Sequence, residues 1–145
     1  MSNLLQQLLQ KPEIRTPIAI SLGAIAGALS RYYISRFISY FLDPTFPYGT
    51  LFVNLSGSFG MGFFFTLSLG ESIVIPPDMR LIIAVGFLGS YTTFSTYELD
   101  TFNLLNQNGW HKSLIYWLTY WFGSAFLGFL HLYLGIFLAR LINRS

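Results

Sequence analysis

The chain has 145 residues, of which 53% are hydrophobic and only 10% charged, with a net charge of +2. A soluble domain of ordinary composition carries about 25% charged residues, so the charges here are too few to clothe a water-facing surface. The absence of cysteine excludes disulfides and thiolate metal sites, and the scattered basic residues form no surface for nucleic acid.

The opening segment, residues 1–16, begins polar and has no small-residue cleavage pattern before the first apolar run, so it does not read as a signal peptide. It is either a short amphipathic helix at a membrane surface or a loose tail. A membrane-spanning helix needs about 20 mostly apolar residues. Four stretches within residues 17–142 meet that requirement. The first, about 17–42, is interrupted by Arg31 and Arg36, and the second, 48–69, has no charge. The third, about 80–105, is uncharged only from Leu81 to Tyr97, after which Glu98 and Asp100 follow. The fourth, about 113–140, is uncharged from Ser113 to Ala139 unless His131 is protonated. Turn-forming sequences separate them: Asp43-Pro44-Thr45-Phe46-Pro47, Pro76-Pro77-Asp78 and Asn106-Gln107-Asn108-Gly109. A soluble bundle would need a polar stripe on every helix, and the second and fourth stretches have none. The expected fold is therefore an all-α membrane protein with four transmembrane helices.

Four spans put both ends of the chain on one side. Lys11, Arg15, Arg80, Arg140 and Arg144 share that side, Arg36 and Lys112 lie opposite, and Arg31 is near the opposite end. The excess favours termini in the cytoplasm. Small residues recur four apart, as in Gly23 and Gly27, Ala24 and Ala28, Ser58 and Gly62, and Ser124 and Gly128, which lets helix backbones approach closely in lipid. Four short spans enclose little on their own, so an oligomer is expected.

Polar groups within a membrane segment are costly and mark candidate sites. In the second helix, Asn54 stands within GTLFVNLSGSFGMG, with Ser58 one turn later on the same face. Its amide either makes an interhelical hydrogen bond or donates to an anion. The third stretch carries GFLGSYTTFSTYELD, residues 86–100. Its glycines Gly86 and Gly89 and its hydroxyls at Thr92, Thr93, Ser95 and Thr96 predict a helix that breaks, starting at Gly89-Ser90. Broken backbone at membrane depth persists only when buried in protein or lining a cavity. Phe94 and Tyr97 share a face; they either pack or present electropositive ring edges to an anion. In the fourth helix Tyr116, Tyr120 and Ser124 recur at four-residue spacing, forming either bundle contacts or a polar track. Arg31 either snorkels to the interface or attracts anions at a pore mouth. No mid-membrane carboxylate pair, His/Glu cluster or nucleophile–base pairing is evident, so an enzyme is not expected.

Taken together, GTLFVNLSGSF, GFLGSYTTFSTY and the first-helix run GAIAGALSRYY resemble the signature stretches of the Fluc (CrcB) fluoride channels, and the likeness extends from Ile18 to Leu141. The resemblance implies an antiparallel dimer with two fluoride pores. It makes Asn54 the pore-facing asparagine, Phe94 the first of two phenylalanines with fluoride-contacting edges, and Ser95 and Thr96 hydroxyls near the polar track. It makes Arg31 the vestibule arginine, assigns Tyr116 and Ser124 to the fourth-helix track, and gives a central structural sodium ion to the main-chain carbonyls of Gly89 and Thr92. The sequence departs from the family pattern at Tyr97, where the second phenylalanine stands, at Asp100, where glutamate is usual, and at Tyr120, where serine is frequent.

The function so implied is passive fluoride export across the cell (plasma, or inner) membrane, which lowers cytoplasmic fluoride. No nucleotide-binding motif is visible, and a passive pore needs none. A small dual-topology multidrug or cation exporter would need a carboxylate in the first helix, which has none; a non-conducting scaffold subunit is the remaining alternative. The partner is a second copy of the chain or, because the charge balance is uneven, a homologous subunit inserted the other way.

Overall fold

In the computed structural model the described residues are 11–70, 73–106 and 110–144, with the side chains at 110–112 and 144 left aside. The secondary structure among them is entirely helical. Helix α1 is Pro12–Phe41, α2 is Tyr48–Leu69, and α5 is Trp110–Arg144. Between α2 and α5, residues 77–91 form a continuous helical segment, α3, and Phe94–Leu105 form α4. Three helices, α1, α2 and residues Ser113–Asn143 of α5, are long and apolar enough to cross a membrane. Residues 1–10, and with them most of the opening segment, lie outside the described residues.

Helix α1 begins at Pro12, upstream of the expected boundary, because proline at the first helical position surrenders an N–H that has no helical partner anyway. The interior Pro17 follows soon after and leaves one carbonyl of the opening turns unpaired. The buried stripe of α1 consists of Ala19, Gly23 and Gly27. A Cβ at Gly23 would strike the Ile82 carbonyl, and one at Gly27 would strike the Phe87 carbonyl. From the other side, a Cβ at Gly86 would stand 2.5 Å from the Ile20 carbonyl. These two helices therefore touch backbone to backbone.

Segment α3 is not a uniform helix. It opens with one α-turn, Pro77–Arg80, widens to π-helical geometry over Leu81–Leu88 and closes with Gly89–Tyr91. The Gly89 N–H reaches back to the Ala84 carbonyl, the five-residue spacing of a π-turn. The Arg15 side chain forms an ion pair with Asp78, fastening the start of α1 to the start of α3. Both groups are partly solvent-exposed, so the pair adds about 0–1 kcal/mol at most.

Helices α2 and α5 meet along most of their length, again through glycine. A Cβ at Gly62 would collide with the Leu132 carbonyl and one at Gly135 with the Phe59 carbonyl. At the far end, Asn143 Nδ2 donates to the Thr66 carbonyl at 3.2 Å. The 42–47 connection is held by the Thr45 N–H, which donates to Asp43 Oδ1 at 2.9 Å and keeps that carboxyl below its ordinary value. Phe46 folds back onto Tyr120, with ring centroids 5.4 Å apart, and joins the small core of Tyr97, Leu104 and Tyr120.

Outside these seams the apolar side chains face outward. Leu22, Ile25, Phe126 and Phe129 are each about 60% exposed. Patches of this extent belong to lipid or to another subunit.

The backbone contact of α1 with α3 yields a direct test. Gly86→Ala adds a methyl group where only a carbonyl oxygen fits, and it should cost about 1–3 kcal/mol, the range for overpacked interiors. Thermal unfolding in detergent measures this; an unchanged melting temperature would show that the seam can open without cost.

Candidate functional site

The helical course stops at Tyr91 and resumes at Phe94. Thr92 (φ −79°, ψ 157°) and Thr93 (φ −148°, ψ 121°) are extended. The departure comes later than the glycine-based expectation, because Gly89 and Ser90 remain helical. Glycine tolerates a helix here; the pull away from it comes from groups that capture the next backbone donors.

Two captures account for the interruption. The Thr93 N–H donates to Asn54 Oδ1 at 2.8 Å, while Asn54 Nδ2 donates to the Thr93 carbonyl at 3.1 Å. One amide side chain on α2 thus satisfies both polar groups of an unwound residue. Thr93 in turn acts as the N-cap of α4. Its hydroxyl accepts from the Thr96 N–H at 3.3 Å and donates to the Thr96 hydroxyl at 3.0 Å. On the α3 side, the Thr92 hydroxyl donates to the Leu88 carbonyl at 3.1 Å. The Tyr91 hydroxyl bonds Ser56 Oγ at 2.9 Å, and because Ser56 already donates to the Phe52 carbonyl, tyrosine is the donor.

These captures have a further result. In an unbroken helix the Thr93 N–H would bond the Gly89 carbonyl, and the Thr96 N–H would bond the Thr92 carbonyl. Both donors are diverted, so the Gly89 and Thr92 carbonyls have no helical partner. Free main-chain carbonyls are the donor set a hard monovalent cation takes.

The interruption borders a cleft of about 450 Å³. Asn54, Thr92, Phe94, Tyr97 and Ser124 all line it, together with Gly57, Ser58, Thr93 and Gly128, and none of its lining residues is charged. Phe94 is 74% exposed at its rim. Asn54 retains one amide hydrogen beyond the bond to Thr93, since its NH₂ carries two. A second hollow of about 350 Å³ lies across the interruption, lined by Arg31, Tyr32, Ser35, Arg36, Ser39, Thr50, Thr93 and Thr96.

The expected site residues are thus divided. Asn54, Thr92, Phe94, Tyr97 and Ser124 converge on the first hollow, while Arg31 and Thr96 line the second. Ser95 is exposed and lines neither; its hydroxyl lies 3.5 Å from that of Thr93. Gly89 lines neither, and Tyr116 packs against Phe46 at 6.4 Å. Thr93, which borders both hollows, was named from the sequence among the hydroxyls that disfavour a helix, not as a site residue. Its signal was there: a threonine immediately before the apolar Phe94, the pattern of a helix N-cap. Thr50, beside Asp100 and Tyr120, was missed as well. Asp100, Thr50 and Tyr120 lie within reach of one another, while Ser124 Oγ, in the cleft lining, is buried without a hydrogen-bond partner.

Comparison with known proteins bears on what such a cleft does. The family model described as CrcB-like protein, Camphor Resistance (CrcB), matches residues 18–136. The chain belongs to the CrcB family. Among its CrcB relatives, a protein of Trichormus variabilis named fluoride-specific ion channel FluC is 54% identical over 95% of this chain and 98% of its own length. A protein of the same name from a Synechococcus species is 54% identical over 90% of this chain and 96% of its own length. One from a Hydrogenobaculum species is 42% identical over 86% and 98%.

The double bond between Asn54 and Thr93 makes its own prediction. Asn54→Ala strands an N–H and a carbonyl away from water and should lower stability by about 1–3 kcal/mol. Hydrogen exchange at the Thr93 amide should speed up accordingly; unchanged protection would mean that water or another side chain holds the interruption.

Proposed function

We propose that this chain is the subunit of a fluoride-selective channel through which fluoride leaves the cell passively. The observation that carries the reading is the cleft itself: an uncharged, mainly apolar groove into which a few amide and hydroxyl groups reach, at an interrupted helix, in a membrane protein whose near relatives are named fluoride-specific channels.

Fluoride gives up its water only to other donors. The remaining Asn54 amide hydrogen, the Ser58 and Ser124 hydroxyls and the ring edges of Phe94 and Tyr97 form a series of such contacts. Each contact is weak, and a series of weak sites lets an ion leave as well as enter. The absence of charge from the lining fits conduction, since a fixed cation would trap the anion. Arg31 and Arg36 stand outside the cleft, in the second hollow, where they draw anions toward it. An inside-negative potential drives the ion outward by about 2.3 kcal/mol per charge per 100 mV, so no energy-coupling site is required.

In this reading α3 and α4 together form a fourth transmembrane span, broken at Thr92–Thr93. The cleft is open along one side, and a second subunit in the opposite orientation closes it. The freed carbonyls of Gly89 and Thr92 would then meet their symmetry mates and hold a sodium ion, which keeps the like-directed dipoles from repelling each other. A homologous partner in place of a second copy is favoured only by the charge count: five basic residues on the terminal side against Arg36, Lys112 and Arg31.

Purified protein in liposomes should release fluoride and retain chloride. Phe94→Ile should slow fluoride release by about tenfold or more, the equivalent of about 1.4 kcal/mol in the barrier, while the variant still assembles. Release at the wild-type rate would remove the ring edge from the path.

Assembly can be tested separately. A cysteine replacing Thr45, in the 42–47 connection, should be reached by an impermeant thiol reagent in roughly equal parts from both faces of the membrane, because a homodimer needs both orientations. Exchange of sodium for a bulky organic cation should weaken the dimer. Labelling from one face alone would exclude the homodimer, and an unaltered dimer in sodium-free buffer would exclude the ion.

A further inference from the structure

The two hollows have one residue in common. Thr93 lines the cleft and the second hollow alike, and no other residue around either of them borders both. Only 8% of Thr93 is exposed, so it fills the space between them. Asn54 stands on the cleft side and Thr96 on the other. Both are hydrogen-bonded to Thr93, Asn54 to its main chain and Thr96 to its hydroxyl.

Each of these neighbours keeps a hydrogen to give. The Asn54 amide commits one of its two to the Thr93 carbonyl. The Thr96 hydroxyl accepts from Thr93, which leaves its own hydrogen outside that bond. An anion in the second hollow therefore finds a donor in Thr96, and an anion in the cleft finds one in Asn54. The Thr93 side chain stands between the two donors. Its peptide is fixed by the pair of bonds to Asn54, whereas the side chain is held by the cap of α4, with the Thr96 N–H at 3.3 Å and the Thr96 hydroxyl at 3.0 Å. Turning the side chain about its Cα–Cβ bond breaks the cap bonds and leaves the peptide in place.

We infer that Thr93 is the partition of the permeation path: the bulk of its side chain separates the arginine-bearing hollow from the cleft and limits the rate at which fluoride passes from one to the other. The inference rests on the channel reading above. Arg31 and Arg36 gather the anion on one side, the cleft donors receive it on the other, and the passage between them is as wide as Thr93 allows.

Bulk and capping are separable by substitution. Thr93→Ser keeps the capping hydroxyl and removes a methyl group, and serine caps a helix at least as well as threonine. Thr93→Val keeps the bulk and removes the hydroxyl. The experiment measures unitary fluoride current in planar bilayers at fixed voltage for the full chain and both variants, with melting temperatures alongside. In Thr93→Ser the unitary current should rise by about threefold, which corresponds to about 0.7 kcal/mol off the barrier. Thr93→Val should melt earlier, through the lost cap, and carry a current no higher than wild type. A residue that only caps α4 would give the reverse pattern, with wild-type current for serine and a change for valine alone, and that result would overturn the inference. A raised current in Thr93→Val would overturn it as well, because a loosened cap would then open the path without any loss of bulk. Should the valine variant not assemble, serine decides, since it retains both cap bonds: a raised current supports the partition, and an equal or smaller one refutes it. If wild-type protein carries no fluoride current, the channel reading itself fails, a result distinct from equal currents in wild type and Thr93→Ser.

Discussion

An unwound peptide inside a membrane protein has no water to fall back on. Every N–H and carbonyl that leaves a helix there must be matched by protein or face a cavity or an ion, at a cost of a few kcal/mol for each one left alone. The two-residue interruption at Thr92–Thr93 is governed by this constraint, and much of the surrounding architecture answers it. Asn54 is spent on the two polar groups of Thr93, Thr93 caps α4, and Tyr91 and Tyr97 anchor the flanking helices to α2 and α5. The mainly apolar groove next to the interruption carries polar groups without charge because those that hold the backbone are amides and hydroxyls, and the Asn54 amide retains a hydrogen beyond what the backbone uses.

The helices around the interruption are held by a different means. No apolar driving force separates helix from lipid, so close approach takes its place. Gly23, Gly27 and Gly86 bring α1 and α3 into backbone contact, and Gly62 and Gly135 do the same for α2 and α5. These two rigid pairs leave the α3–α4 connection between them. One pair fixes where α3 ends, the other where the wall opposite α4 stands.

Much of this was legible in the sequence because the physics involved is local or compositional. Long apolar runs marked α1, α2 and α5, the three helices able to cross a membrane. Asn54 stood out as an amide in hydrocarbon, and the two readings left open for it are partly reconciled: it makes an interhelical bond and still has a hydrogen to give. What the sequence could not convey depended on partners far along the chain. Nothing local says that the Tyr97 hydroxyl finds a carbonyl 24 residues away. The break was placed at Gly89-Ser90 on helix propensity, but it falls where Asn54, 39 residues distant, captures the Thr93 N–H. Tyr116 kept the spacing of a polar track, yet lies against Phe46, because only one edge of α5 borders the cleft.

The wide turns of α3 bear on how this segment tolerates changes in chain length. A π-helical stretch holds more residues in a given rise than an α-helix does. Leu81–Leu88 therefore contains slack. Excising a residue there can be absorbed by tightening toward ordinary α-geometry, with Gly89 and everything after it kept in place. The same excision in α4, which has no such reserve, would rotate each following side chain by about 100° and turn the cleft wall away. Insertions and deletions among kindred chains should accordingly gather before Gly89 and be scarce after Thr93.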